Sequence, residues 1–154
     1  MAHILIADDD DLIAELASQT LIDAGHACGW VTSGQACWDL LQNRRPDLLL
    51  LDQDMPGMSG MTLLRHLRQS PTFYDLPVVM FTAMSGAQDE ANAVFAGANE
   101  YIRKPFDPRG LINVVQRVLA KRADHPQHTD LKTHLAKSSG WYQEEEDEKP
   151  RRVI

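Results

Sequence analysis

The sequence predicts a doubly wound α/β fold, with a five-stranded parallel sheet covered by helices on both faces. Three observations predict it. The apolar runs are short and continuous rather than alternating, as strands buried on both faces require. Segments with apolar residues at helical spacing separate these runs. The two kinds of segment alternate, strand then helix, five times along the chain.

Ile4–Ala7 reads as the first strand. From Asp11 to Ala24, Leu12, Ile13, Leu16 and Leu21 fall at helical spacings, and Gly25 is a stop signal. Ala27–Val31 is a weaker second strand. Ser33 reads as the N-cap of a helix carrying Cys37, Leu40 and Leu41. Leu48–Leu51 is the third strand. Ser59 to Gln69 then carries Met61, Leu63, Leu64 and Leu67, with Pro71 beyond its end. Val78–Phe81 is the fourth strand, and a thinner helix from Gly86 to Phe95 stops at Gly97. The short Tyr101-Ile102 is the fifth strand. Asp107 caps a last helix, with Pro108 in its first turn and Leu111, Val114, Val115, Val118 and Leu119 on its apolar stripe.

The chain has 154 residues, enough for one sizeable core, and 44% are apolar. Apolar runs such as Leu48–Leu51 are far too short to cross a bilayer, so no membrane association is expected. The chain starts directly on a strand-like run at His3, which reads as no signal peptide, and the expected location is cytoplasmic. Cys28 and Cys37 are not spaced as a metal or redox pair and read as free thiols.

Residues 1–122 are read as the folded domain. They carry 10 basic and 15 acidic side chains, a net of −5 out of −7 for the chain. A negative field argues against nonspecific nucleic-acid binding and suits a cation or a basic partner surface. Residues 123–154 are read as a linker and a mostly disordered acidic tail. Thr129 to Lys137 has room for a short helix, and Glu144 to Glu148 is a run of five acids. Trp141-Tyr142 is either part of a flexible tail or an anchor of that tail on the body or on a partner.

In a parallel sheet the loops after the strands converge on one edge, and ligands bind there. Those loops carry Asp8, Asp9, Asp10 and Asp11 after the first strand, and Asp52, Gln53 and Asp54 after the third. Thr82 and Ala83 follow the fourth, and Arg103, Lys104 and Pro105 the fifth. Crowded carboxylates call for a hard cation, and an oxygen-only donor set points to Mg²⁺ or Mn²⁺. An aspartate beside such a cation and an ammonium can attack phosphorus. Asp10 and Asp11 are read as an N-cap and a first-turn acid rather than ligands.

Four motifs carry a resemblance. They are Ile4 to Asp10 (ILIADDD), Leu50 to Gly60 (LLDQDMPGMSG), Phe81-Thr-Ala83 and Tyr101 to Phe106 (YIRKPF). In this order they resemble the receiver domain of two-component response regulators, over about residues 3–122. The resemblance implies a flavodoxin-like sheet of strand order 2-1-3-4-5. It implies that Asp52 is the phosphoacceptor and that Lys104 pairs with Asp52 and then with the phosphoryl group. Asp9, Asp8, Asp52 and the Asp54 backbone carbonyl would hold the metal. Thr82 would bind the phosphoryl and move with it, Tyr101 would be the switch aromatic, and Lys104-Pro105 would be cis. Asp54 and Met84, two past the acceptor and two past the threonine, would flank the path of attacking water. The implied partners are a histidine kinase or histidine phosphotransfer protein and an output partner. The implied role is a switch, not a turnover enzyme.

Two other functions were weighed. A haloacid-dehalogenase-like phosphotransferase would use Asp52 as nucleophile and Asp54 as acid–base, but it expects its opening motif first in the chain, and here Asp8 and Asp9 precede it. A DNA-binding regulator needs a second domain, and the residues after Arg122 are too few and too acidic for a helix-turn-helix, so no DNA binding by this chain is expected.

Overall fold

A computed structural model describes residues 1–83 and 86–124. The elements are β1 (His3–Ala7), α1 (Asp11–Asp23), β2 (Ala27–Val31), α2 (Gly34–Leu41), β3 (Leu48–Leu51), α3 (Gly60–Gln69), β4 (Val78–Thr82), α4 (Ala87–Phe95), β5 (Glu100–Arg103) and α5 (Pro108–Asp124). The five strands form one parallel sheet in the order β2-β1-β3-β4-β5. The expected fold and strand order are therefore observed.

The two-residue period of a strand splits each apolar run between two cores. Ile4, Ile6, Leu48, Leu50, Val79 and Phe81 pack with Ala14, Ala17 and Leu21 of α1 and Leu111, Val115 and Val118 of α5. Leu5, Ala7, Leu49, Leu51, Val78 and Met80 pack with Cys37 and Leu41 of α2, Leu63, Leu64 and Leu67 of α3, and Ala93 of α4. Both faces are covered, which is why the central strands are apolar at every position between their ends.

The helix starts are built as the sequence predicts. Asp10 Oδ1 accepts from the backbone N–H of Leu12 and Ile13, and Ser33 Oγ from that of Ala36. Ser59 Oγ accepts from Thr62 N–H, and Asp107 Oδ2 from Gly110 N–H. Such a cap contributes about 1 kcal/mol.

The buried face of α1 differs from the expectation. Leu12 and Leu16 are 64% and 49% exposed, and Ala14, Ala17, Ser18 and Leu21 face the sheet instead. Small side chains let the helix approach the strands closely, so the larger leucines are left on the outer side. Leu40 on α2 is also partly exposed, at 37%. The readings made for Met84 and for residues 125–154 lie outside the described residues.

Candidate functional site

Strand register builds the site. Ala7 of β1 stands opposite Leu51 of β3, so the residues that follow, Asp8 and Asp52, leave the sheet side by side. Backbone bonds hold both: Asp8 N–H donates to Val31 O at 3.0 Å, and Asp52 N–H to Ala7 O at 2.9 Å. Thr82 of β4 pairs with Arg103 of β5, and Lys104 N–H donates to Thr82 O at 2.9 Å. Lys104 therefore starts its side chain at the same edge. The Lys104-Pro105 bond is cis, as expected.

Lys104 Nζ lies 2.6 Å from Asp8 Oδ2 and 3.6 Å from Asp52 Oδ2. Asp8, not Asp52, is thus its nearer partner. The ammonium also sits 5.1 Å from the centre of the Phe81 ring, which Phe106 packs against edge-on at 5.5 Å. These rings wall one side of the lysine and limit where it can point.

Asp8 is fully buried. Its Oδ1 accepts from Asp10 N–H at 2.9 Å, which turns the chain into α1. Among the described residues its Oδ2 makes no hydrogen bond of good geometry, and the nearby ammonium neutralises it by proximity. Asp52 is 4% exposed, and its carboxyl pKa is pushed up to about 6. Burial is the main cause and the Asp8 charge adds to it. Lys104 and the backbone N–H groups of Asp54 and Gln53 draw it back down.

Asp8, Asp9 and Asp52 each offer a carboxylate oxygen, and these oxygens lie within 4.8 Å of one another. Three carboxylates share this cluster, and one ammonium pairs with two of them, Asp8 and Asp52. An unbonded buried oxygen on Asp8 and a carboxyl on Asp52 that resists ionisation both mark a place where more positive charge would be stabilising. The donor set is all oxygen, as a hard divalent cation prefers. The residues present fit such an ion.

The other predicted residues are placed as follows. The Asp54 side chain is exposed at the rim, two residues past Asp52. Thr82 is buried at the end of β4. Tyr101 is half-buried and, with Thr82, Met80, Ala93 and Phe95, lines a cavity of about 500 Å³ beneath α4. Asp10 and Asp11 are the N-cap and a first-turn acid of α1, as read.

Two residues without an assigned role in the sequence position the loop that carries Asp52. A side chain at Gly60 would collide with the carbonyl oxygen of Asp52, so only glycine lets α3 start this close to Asp52. Gln53 Oε1 accepts from Met61 N–H at 2.7 Å and ties the loop to the same turn. A glycine directly after an N-cap serine is the one available signal for such a close approach.

The sequence matches the response regulator receiver domain over residues 4–116. The chain belongs to the response regulator receiver family. Among curated relatives, the receiver is 36% identical over 118 residues to the phosphate regulon transcriptional regulatory protein PhoB of Pseudomonas aeruginosa, covering 77% of this chain and 52% of PhoB. The chain spans about half the length of the curated relatives it matches. Among solved structures it resembles the chemotaxis response regulator CheY4 of Vibrio cholerae, with TM-score 0.72, 30% identity, and coverage of 77% of this chain and 98% of that one. It also resembles the receiver domain of a signal transduction histidine kinase from Syntrophus aciditrophicus, with TM-score 0.75, 30% identity, and coverage of 82% and 96%.

The haloacid-dehalogenase-like alternative has no support from these matches. No helix among the described residues is long and apolar enough to cross a membrane.

Proposed function

We propose that this receiver takes a phosphoryl group onto Asp52 from a phosphohistidine of a histidine kinase or histidine phosphotransfer protein. The observation that carries this reading is the buried Asp52 carboxylate, 3.6 Å from the Lys104 ammonium and clustered with Asp8 and Asp9. An Asp52 oxygen bonds to phosphorus as the phosphorus–nitrogen bond breaks, and the imidazole leaves with a proton from water. The Lys104 ammonium, paired mainly with Asp8 beforehand, is close enough to follow the new charge. The Thr82 hydroxyl donates to a phosphoryl oxygen. Mg²⁺ or Mn²⁺, held by Asp8, Asp9, Asp52 and the Asp54 carbonyl, spreads the charge on the transferring oxygens when bound.

The switch follows from where those contacts pull. Thr82 and Tyr101 line the same cavity beneath α4, so movement of Thr82 toward the phosphoryl alters the room available to the Tyr101 ring. The contacts bias a pre-existing equilibrium and change the α4–β5–α5 surface seen by an output partner. The protein acts as a switch, not as a turnover enzyme, and works in the cytoplasm. PhoB is named as a transcriptional regulatory protein. We assign the described receiver body, whose residues 1–122 carry a net charge of −5, protein contacts rather than DNA contacts.

The test is labelling by acetyl phosphate in Mg²⁺. The wild type takes label, and Asp52→Asn takes none. Undiminished labelling of the Asn variant sinks the assignment.

A further inference from the structure

The edge strand β2 pairs only with β1, and its residues are less buried than those of β3 and β4. Gly29 stands opposite Leu5 in the register, and nothing lies within 4 Å of where its side chain would be. The missing side chain opens a groove between β2 and α2. It forms a cavity of about 580 Å³ whose walls include Leu5, Gly29, Leu40 and Pro46, with Arg44 and Arg45 on its rim. Arg45 is committed to Asp75, at 2.9 Å, and to the Thr72 carbonyl. Arg44 is exposed and makes no ion pair among the described residues. The groove is thus an apolar slot with an uncompensated cation at its lip, on a domain that is otherwise acidic.

The chain leaves the described body beside this groove. Near the end of α5, Arg122 Nη1 donates to Asp47 Oδ1 at 3.1 Å. Asp47 Oδ2 accepts from His3 N–H at 2.8 Å, and His3 and Pro46 both line the cavity. Thirty further residues follow Asp124. Within them Trp141-Tyr142 is followed, after Gln143, by the five acids Glu144 to Glu148. Two aromatics next to an acidic run are the chemical complement of an apolar slot with a basic lip. Trp141 lies 17 residues past Asp124, and a coil of that length spans about 20–25 Å. Tethering makes even a weak contact effective, because the local concentration reaches the millimolar range.

We propose that the segment from Trp141 to Glu148 of this chain docks in the β2–α2 groove, with its aromatics against Leu5, Gly29 and Leu40 and its acids at Arg44. The contact lies at the amino edge of the sheet, away from Asp52, so it stands or falls independently of the phosphoryl chemistry.

Amide NMR on the full chain tests it. Trp141→Ala/Tyr142→Ala should shift residues 27–31 and 40–47 and leave the rest of the sheet in place. Arg44→Glu, at an exposed position, should in turn move the indole N–H resonance of Trp141. Both effects should be unchanged on tenfold dilution. Groove amides that ignore the double substitution overturn the proposal. So does an indole resonance that ignores Arg44→Glu, or a groove effect that disappears on dilution, since that would mark a second copy as the occupant.

Discussion

At the amino edge of the sheet, Asp47 accepts from His3 N–H at 2.8 Å and from Arg122 Nη1 at 3.1 Å, one donor for each oxygen. At the carboxyl edge, Asp8, Asp9 and Asp52 offer oxygens within 4.8 Å of one another, one ammonium lies by Asp8 and Asp52, and among the described residues Asp8 Oδ2 is buried without a well-directed hydrogen bond. The same parallel strands produce both edges. One is satisfied by the protein itself, and the other gathers more negative than positive charge, which is where the proposed cation and phosphoryl group would act. Stability and function are therefore separated along the strand axis, and substitutions at the two edges should behave differently.

The largest effect is expected where backbone geometry holds the acceptor. Gly60→Ala forces a methyl group against the Asp52 carbonyl. Overpacking against backbone of this kind costs about 1–3 kcal/mol or more. The unfolding midpoint in urea should fall, and labelling at Asp52 should fall with it because the acceptor is displaced. A variant with wild-type stability would break the claim that α3 must start this close.

Charge at the carboxyl edge comes next. The folded-state pKa of Asp52 is raised to about 6 from 3.8. The native state keeps this proton to higher pH than the unfolded chain does, so stability from this group is full below about pH 4. It is lost as pH rises through about 6. Replacing the carboxylate by a neutral amide removes that loss. In EDTA, Asp52→Asn should be more stable than wild type at pH 7 by on the order of 2 kcal/mol, and the gap should close toward pH 4. Mg²⁺ should raise the Tm of the wild type more than that of the variant, since only the folded state assembles the ligands. A gap that is constant with pH would remove Asp52 as its source.

The amino edge should respond in the opposite sense and more weakly. Asp47→Ala strips a partner from His3 N–H and from Arg122, both near the surface. The expected loss is about 1 kcal/mol, with Mg²⁺ binding unchanged. A parallel loss of metal binding would show that the two edges are not separate.

Much of this contrast was legible in the sequence, for a topological reason. Leu48–Leu51 is apolar at every position because both faces are covered, and a polar residue directly after such a run must sit at the sheet edge. Asp52, Thr82 and Lys104 were identified that way. The fifth strand was read short because its ends, Glu100 and Arg103, are polar residues of an edge strand. On α1, Leu12 and Leu16 are four apart but lie on the side away from the sheet, while Ala14, Ala17, Ser18 and Leu21, also at spacings of three and four, form the buried face; side-chain size alone points to the wrong stripe. The preference of Lys104 for Asp8 depends on side-chain distances between residues 96 positions apart, and no spacing rule reports those.

The smallest effect is expected at the rim of the carboxyl edge. The Asp54 backbone N–H helps hold the Asp52 carboxylate, while its side chain is exposed. An exposed carboxylate two residues past the acceptor can order or deprotonate water that approaches the phosphorus. A well-positioned general base contributes about 10²–10⁴-fold, and a solvated group that is free to turn away contributes far less. Asp54→Ala should therefore prolong the phosphorylated state by about 2–5-fold, within what one weak water contact supplies. Substitution with alanine leaves the backbone N–H in place, so labelling itself should persist. Met84 is two past Thr82 in the sequence and outside the described residues; its expected role as an apolar flank predicts that Met84→Ala shortens the phosphorylated state. Following phosphoryl loss from both variants at fixed Mg²⁺ and pH separates the two roles. Equal lifetimes for wild type and Asp54→Ala would make the Asp54 side chain a passive part of the rim, and the carboxyl edge would then control phosphoryl transfer without controlling its lifetime.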